Sequence, residues 1–245
     1  MSPARNIRPV HPTGVDITPP LFPQETQRIA DVVKAYDPWQ LESLLDVNPQ
    51  RALELYADFQ RFDINNNGTP ALLSYYGAAF QNMQLDDFTA EDLTFAQSSL
   101  RILSALYGML RPLDGVLPHR LGIKPDFLVD EKDLYSFWDQ RLYHALFQSG
   151  ELVVNLASVD YAKFITPYLQ THDALLTCRF QVQKPNSPAR GTVSTIRAAR
   201  GMMARYIIKN RITTSEGMKS FDASGYRFID ALSTKMEYVF IKANQ

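Results

Sequence analysis

One cysteine, four scattered histidines and no excess of either charge leave this 245-residue chain without the usual equipment of redox or metal proteins. Cys178 stands alone, which excludes an internal disulfide and a two-cysteine redox cycle within one chain. Its LLTCRF setting is apolar, so it reads as a small buried hydrophobe rather than a nucleophile. His11, His119, His144 and His172 share no ligand spacing, so neither a metal site nor a cofactor is expected. No apolar run approaches the ~20 residues of a membrane span, and the opening MSPARNIRPVHPTG has no signal-like apolar core. The expected location is therefore cytoplasmic, away from membranes.

Lys plus Arg total 25 against 26 Asp plus Glu, a net charge of −1, so overall charge recruits neither nucleic acid nor membrane. An anion site must come from local clustering of basic residues. Glycines are few, 11 against 15 prolines, which means fixed turns. No glycine-rich phosphate loop, nucleophile elbow, zinc motif or paired-carboxylate motif occurs.

The chain suits one domain, here residues 1–245, and at this length folding hides roughly three-quarters of the exposable surface. Hydrophobic residues make up 45%, enough for a packed core without a metal or disulfide staple. The proline-rich residues 1–23 read as extended. Helical spacing of apolar residues follows at 24–36, 39–45 and 49–59, with Asn48 as an N-cap and Pro49 in the first turn. Residues 71–83 suit either a strand or a helix. A helix is expected over 89–107, opened by Thr89 with Asp92 three residues on, and another over 134–148. Residues 108–122, with three glycines and two prolines, read as a structured loop.

The wholly apolar residues 152–156 suggest a buried central strand, followed by a short helix at 161–169. Strands are expected at 174–183, 226–230 and 236–242, a turn at 184–191 and a helix at 196–210. Helices crowd the first half and strands the second. The expected class is α+β, a mixed sheet with surrounding helices.

Three stretches carry candidate chemistry. The first is PARGTVSTIRAARGMMARYIIKNRI, where Arg190, Arg197, Arg200, Arg205, Lys209 and Arg211 occur with no acid from Arg190 to Thr214. Arg197 with Arg200, and Arg205 with Lys209, lie one turn apart, and repeated guanidinium forks suit phosphate oxygens. The bland alternative is a solvated face paired with acids elsewhere. The second is DVNPQRALEL at 46–55, where Asp46, Val47 and Asn48 take the turn positions of a helix-hairpin-helix element. Such turns offer backbone N–H groups to phosphates, although an ordinary helical hairpin has the same spacing. The third is NLASVDYAKF at 155–164, placing Ser158, Tyr161 and Lys163 at a strand's carboxyl end. Ser158 as a plain N-cap is the bland reading there. Arg101, Arg111 and Asp114 fit either a structural knot or a cleft wall.

Taken together these blocks resemble the YaaA family, the peroxide stress resistance proteins of bacteria. The resemblance rests on SPAR (2–5), FTAEDLTFAQSSLRILSALYGMLRPLD (88–114), HRLG (119–122), DLYSFWDQ (133–140), VVNLASVDYAKF (153–164), ARGMMARYIIKNRI (199–212) and FDASGYRF (221–228). It implies a mixed α/β fold of the family's own type, a basic cleft and a helix-hairpin-helix element. It also implies binding of duplex and branched DNA, and a lowering of unincorporated iron during peroxide stress. No established reaction comes with it.

Some positions depart from the family pattern. Arg5-Asn6 replaces Lys-Thr, and Tyr75-Tyr76-Gly77-Ala78-Ala79-Phe80 replaces Phe-x-Gly-Asp-Val-Tyr. His119-Arg120-Leu121-Gly122 replaces Tyr-Arg-Leu-Glu-Met-Gly, so basic groups persist while acids thin out.

The leading expectation is a DNA-binding stress protein that grips phosphate backbone through Arg5, Arg101, Arg197, Arg200, Arg205 and Lys209, with turn amides from Asp46, Val47 and Asn48. The alternative is an enzyme acting on a small phosphorylated or nucleotide-like anion in the same cleft, with Ser158, Tyr161 and Lys163 as its catalytic candidates.

Overall fold

Prolines and N-caps define the first three helices of the computed structural model, which describes residues 1–66, 68–183 and 191–243. Asp37 and Gln40 form a reciprocal capping box ahead of Pro38–Leu45, and Asn48 caps Pro49–Gln60 through Arg51 N–H at 2.9 Å. With Pro23–Lys34 these helices bury Ile29 and Val33, Leu41 and Leu45, and Ala52, Leu55 and Phe59 in one core. That core runs through Trp138 and Tyr107 to Phe180, Phe221 and Phe240.

The ambiguous residues 71–83 are neither a single strand nor a single helix. Short helical turns at Ala71–Ser74 and Ala78–Gln81 flank an extended Tyr75–Tyr76. Tyr76 pairs antiparallel with Asn6, and Tyr75 with Ile7, which anchors the N-terminal segment carrying Arg5.

Two expected helices break. The one expected over 89–107 ends at Ser99, and Ile102–Ser104 then folds back on Gly108–Leu110 as an antiparallel pair. Gly108 turns with φ of +68°, and Trp138 stands 2.7 Å from where a Cβ would be, so the glycine is needed for both reasons. The helix expected over 134–148 is two, Leu134–Trp138 and Arg141–Phe147, interrupted at Asp139 with φ of 45°. In the glycine-rich loop, fully buried Asp114 accepts from Thr18 Oγ1 at 2.6 Å, Arg111 N–H at 2.8 Å and Arg111 Nε at 3.0 Å. Arg111 and Asp114 therefore form a structural knot.

The main sheet has four strands, in spatial order Val153–Asn155, Leu175–Gln183, Glu237–Ala243 and Tyr226–Phe228. The first three run parallel and the fourth antiparallel, a mixed sheet in an α+β frame. Residues 152–156 depart from expectation. Their strand lies at the sheet's edge and is half-buried, not central. An apolar run reports that its faces are covered, but not how many neighbours pair along it. Here a cavity of about 910 Å³ lies beside the edge, lined in part by Leu103, Val153, Leu156, Ala204 and Ile208. Cys178, on the second strand, is buried, and desolvation pushes its thiol up to about 12.

The long helix Val193–Lys209 starts at Thr192, whose hydroxyl accepts from Thr195 N–H at 3.2 Å. It crosses Ala78–Gln81 so closely that a Cβ on Gly201 would sit 1.9 Å from the Ala79 carbonyl oxygen. This crossing fixes which way each face of the basic helix points. The expected turn at 184–191 and Arg190 lie outside the described residues, apart from Gly191.

Candidate functional site

Five residues separate Arg200 from Arg205, and at ~100° per residue that sets the two basic pairs about 140° apart around the helix. The structure treats the two faces in opposite ways. Arg205 reaches Asp87 with both terminal nitrogens, at 2.7 and 2.5 Å, and donates to the Met83 and Gln84 carbonyls. Lys209 meets Asp92 at 2.8 Å, and Arg211 meets the other Asp92 oxygen at 2.7 Å. Hydrogen bonds from Lys209 and the Thr89 N–H hold the Asp92 carboxyl well below the usual carboxylate range, with Arg211 adding to them. Three of the basic residues in the acid-free stretch thus pin the helix to residues 87–92. Acids distant in sequence supply what the local sequence lacks, so Arg205 and Lys209 do not form an open anion surface.

The other face is different. Among the described residues, no acid and no hydrogen-bond acceptor engages Arg197 or Arg200. Arg200 is half-buried, and its Nε is fully buried without a partner. A buried donor left unmatched costs about 1–3 kcal/mol. Desolvation, then the Arg197 guanidinium, lower the Arg200 pKa from its ordinary value, yet a guanidinium stays charged.

Around these two arginines the chain gathers hydroxyls. Ser158 caps the short turn Val159–Ala162 at the carboxyl end of the edge strand, as its residue type suggests, but makes no side-chain cap bond. Its N–H donates instead to Ser2 Oγ at 2.8 Å, and Ser2 Oγ donates to Ser158 Oγ at 3.2 Å. Tyr161 lies one turn on, within electrostatic reach of Arg5 and Arg197. Desolvation, then Tyr135, push its pKa well above the ordinary tyrosine value. Tyr135 donates to the Asp160 carbonyl at 3.1 Å and closes that side. Desolvation raises the pKa of the buried Tyr75 hydroxyl, with the Ser104 side chain opposing it and Tyr161 within electrostatic reach.

Electrostatic contacts thus link Tyr161 to Arg5 and Arg197, and Arg197 to Arg200, while hydrogen bonds hold Ser2, which spacing alone did not single out, against Ser158 three residues before Tyr161. Arg101 does not join them. Its guanidinium donates to the Gln97 and Leu100 carbonyls, while its own carbonyl accepts from the Met1 amine at 2.7 Å. Lys163 turns to Asp160 at 4.0 Å, both largely exposed, a surface pair worth little. Among the described residues no base is hydrogen-bonded to Ser158 Oγ, which accepts from Ser2.

The hairpin turn lies beside the same region. Arg120, which only the block resemblance had marked, donates to Asn6 Oδ1 at 2.6 Å, and its Nε is buried without a partner. Its charge is felt by Arg5, Arg51 and Asp46, so the turn and the N-terminal segment face a common area. Asp46 takes the left-handed conformation, φ 54°, as such a turn requires. The Val47 N–H, however, goes to the Glu42 carbonyl, Pro49 has none, and Arg51 N–H is taken by Asn48. Only the Asn48 and Gln50 amides are left to offer. Among the described residues no group of three or more His, Cys, Asp and Glu could hold a metal ion, and no helix is long and apolar enough to cross a membrane.

A family model described as "Peroxide stress protein YaaA" matches residues 1–232. The chain is 33% identical over 243 residues to a UPF0246 protein of Clostridioides difficile (strain 630), covering 99% of this chain and 98% of that one. A UPF0246 protein of Limosilactobacillus fermentum is 38% identical over 244 residues, covering 99% and 98%. One from Acaryochloris marina is 38% identical over 240 residues, covering 94% and 93%.

Proposed function

The chain belongs to the YaaA peroxide stress protein family, and from that membership we propose that it serves in the cytoplasmic peroxide stress response by holding DNA phosphates on an uncompensated cationic surface. The observation that carries this reading is the contrast along one helix. Arg205 and Lys209 are neutralised by Asp87 and Asp92, while Arg197 and Arg200 next to them meet no acid among the described residues. Adjacent like charges without a counter-ion are electrostatically unfavourable, and a bound anion relieves both at once.

Arg5 and Arg120 extend the surface toward the turn at 46–48, which serves as a helix-hairpin-helix-like element with two free amides, its Arg51 held by Glu54 at 2.7 Å. Contacts of this kind grip the backbone and do not read bases, so sequence preference is weak. Bent or branched duplexes bind better, because part of their deformation is already made. The family's link to iron then acts through protected DNA rather than through a metal site on this chain. Fluorescence anisotropy with a labelled duplex and a four-way junction tests the reading. Wild type binds both in a salt-dependent way and Arg197→Ala/Arg200→Ala weakens both, whereas undiminished binding by the double variant rejects it.

A further inference from the structure

The cluster at Ser2, Ser158, Tyr161, Arg197 and Arg200 is rich in donors, and the acceptors it offers are neutral hydroxyl oxygens. Ser2 and Ser158 bond to one another, which leaves one hydroxyl hydrogen without an acceptor. The Arg200 Nε–H is buried and unmatched, and Arg197 and Arg5 meet no partner among the described residues. The acid nearest to Tyr161, Asp160, is largely exposed and sits by Lys163. Buried donors are rarely left unmatched in folded proteins, so an acceptor-only group of high charge is what the cluster lacks.

We propose that this cluster is a seat for a phosphomonoester, the terminal phosphate of a nucleic acid strand or of a mononucleotide. The proposal rests on the phosphate-binding reading above and makes it more specific. A backbone diester carries one charge and two free oxygens. A monoester carries ~1.5–2 negative charges and three acceptor oxygens. Arg197 and Arg200 forks can engage two oxygens bidentately, and the free Ser158 hydroxyl hydrogen matches the third. Recession favours an end as well. Arg200 is half-buried while Arg197 is exposed, and a terminal phosphate reaches a half-buried guanidinium more readily than a continuous backbone does.

The test uses the full chain and three probes: a labelled oligonucleotide with a 5′-phosphate, its 5′-hydroxyl twin, and dAMP as competitor. The phosphorylated strand is expected to bind about tenfold tighter than its twin, the ~1.4 kcal/mol of one good charge-assisted contact. That gain is expected to vanish in Arg197→Ala/Arg200→Ala and to shrink in Ser158→Ala, with Arg205→Ala as a control that keeps it. Competition by dAMP extends the seat to free mononucleotides, and its failure confines the seat to strand ends. Equal affinity for the two strands overturns the monoester seat while leaving backbone binding intact. If neither strand binds yet dAMP does, the seat stands and the DNA reading falls. If no probe binds, both fall.

Discussion

The backbone N–H of Ser158 donates to the hydroxyl of Ser2 across 2.8 Å, joining residues 156 positions apart at the carboxyl end of the edge strand. Ser158 has the backbone of an N-cap but makes no side-chain cap bond, and Ser2 accepts from the Ser158 N–H itself. The hydroxyl therefore locks the N-terminal segment against the turn that carries Tyr161. Ser2→Ala should lower stability by about 1 kcal/mol, the usual worth of one such bond, and weaken anion binding with it. Urea unfolding and a phosphate-bearing probe measure the two together. A variant as stable as wild type with full affinity would show that the Ser2–Ser158 bond positions nothing.

Asp92 is the hub of the paired face of the basic helix, accepting from Thr89, Lys209 and Arg211. Its carboxyl is held well below the usual range, so the unfolded chain takes up the proton first as pH falls. Its contribution is complete above about pH 4 and is lost as pH drops below that. Asp92→Asn should cost about 2 kcal/mol at pH 7, a capping box plus a partly shielded ion pair, and should flatten the acid flank of the stability curve. Denaturant unfolding from pH 7 down to 3 decides it; an unchanged flank would assign acid lability to other carboxylates.

His119 predicts a second window. The ring is buried against Tyr75 and Tyr107, its Nδ1 paired with the Leu117 carbonyl oxygen at 2.9 Å, and desolvation pushes its pKa down to about 4 from an ordinary 6.5. Between those values the unfolded chain binds a proton that the folded one refuses. Stability is full above pH 6.5 and falls as pH moves from 6.5 toward 4, by at most ~1.4 kcal/mol per unit for one group. His119→Phe should remove that slope while keeping the ring contacts. A slope that survives in the variant would point to another titrating group.

Local signals were legible wherever one residue type forces a local geometry. Asn48 and Thr89 gave caps that the structure reproduces, and of the apolar stripe Ala52, Leu55, Tyr56 and Phe59 all but the half-buried Tyr56 are buried. What the sequence hid was long-range. The helix over 89–107 stops at Ser99 because Gly108 and the partner strand Ile102–Ser104 outweigh helical periodicity. Residues 152–156 read as central because burial is local and pairing is not. At the site, the acid-free stretch showed where the arginines are, but not that Asp87 and Asp92 would claim one face of the helix. Ser2 carried no signal in spacing, since its partner lies 156 positions away.

The most direct test of the central claim is the salt dependence of duplex affinity in four proteins: wild type, Arg197→Ala, Arg200→Ala and Arg205→Ala. Arg5, Arg120, Arg197 and Arg200, which meet no acid among the described residues, predict a slope of log affinity against log salt of about −3.5. Removing Arg197 or Arg200 should reduce its magnitude by about one each. Arg205→Ala should leave the slope unchanged, because that guanidinium is already held by Asp87. A flat response in wild type, or an Arg205→Ala slope reduced as much as that of Arg197→Ala, would contradict the account.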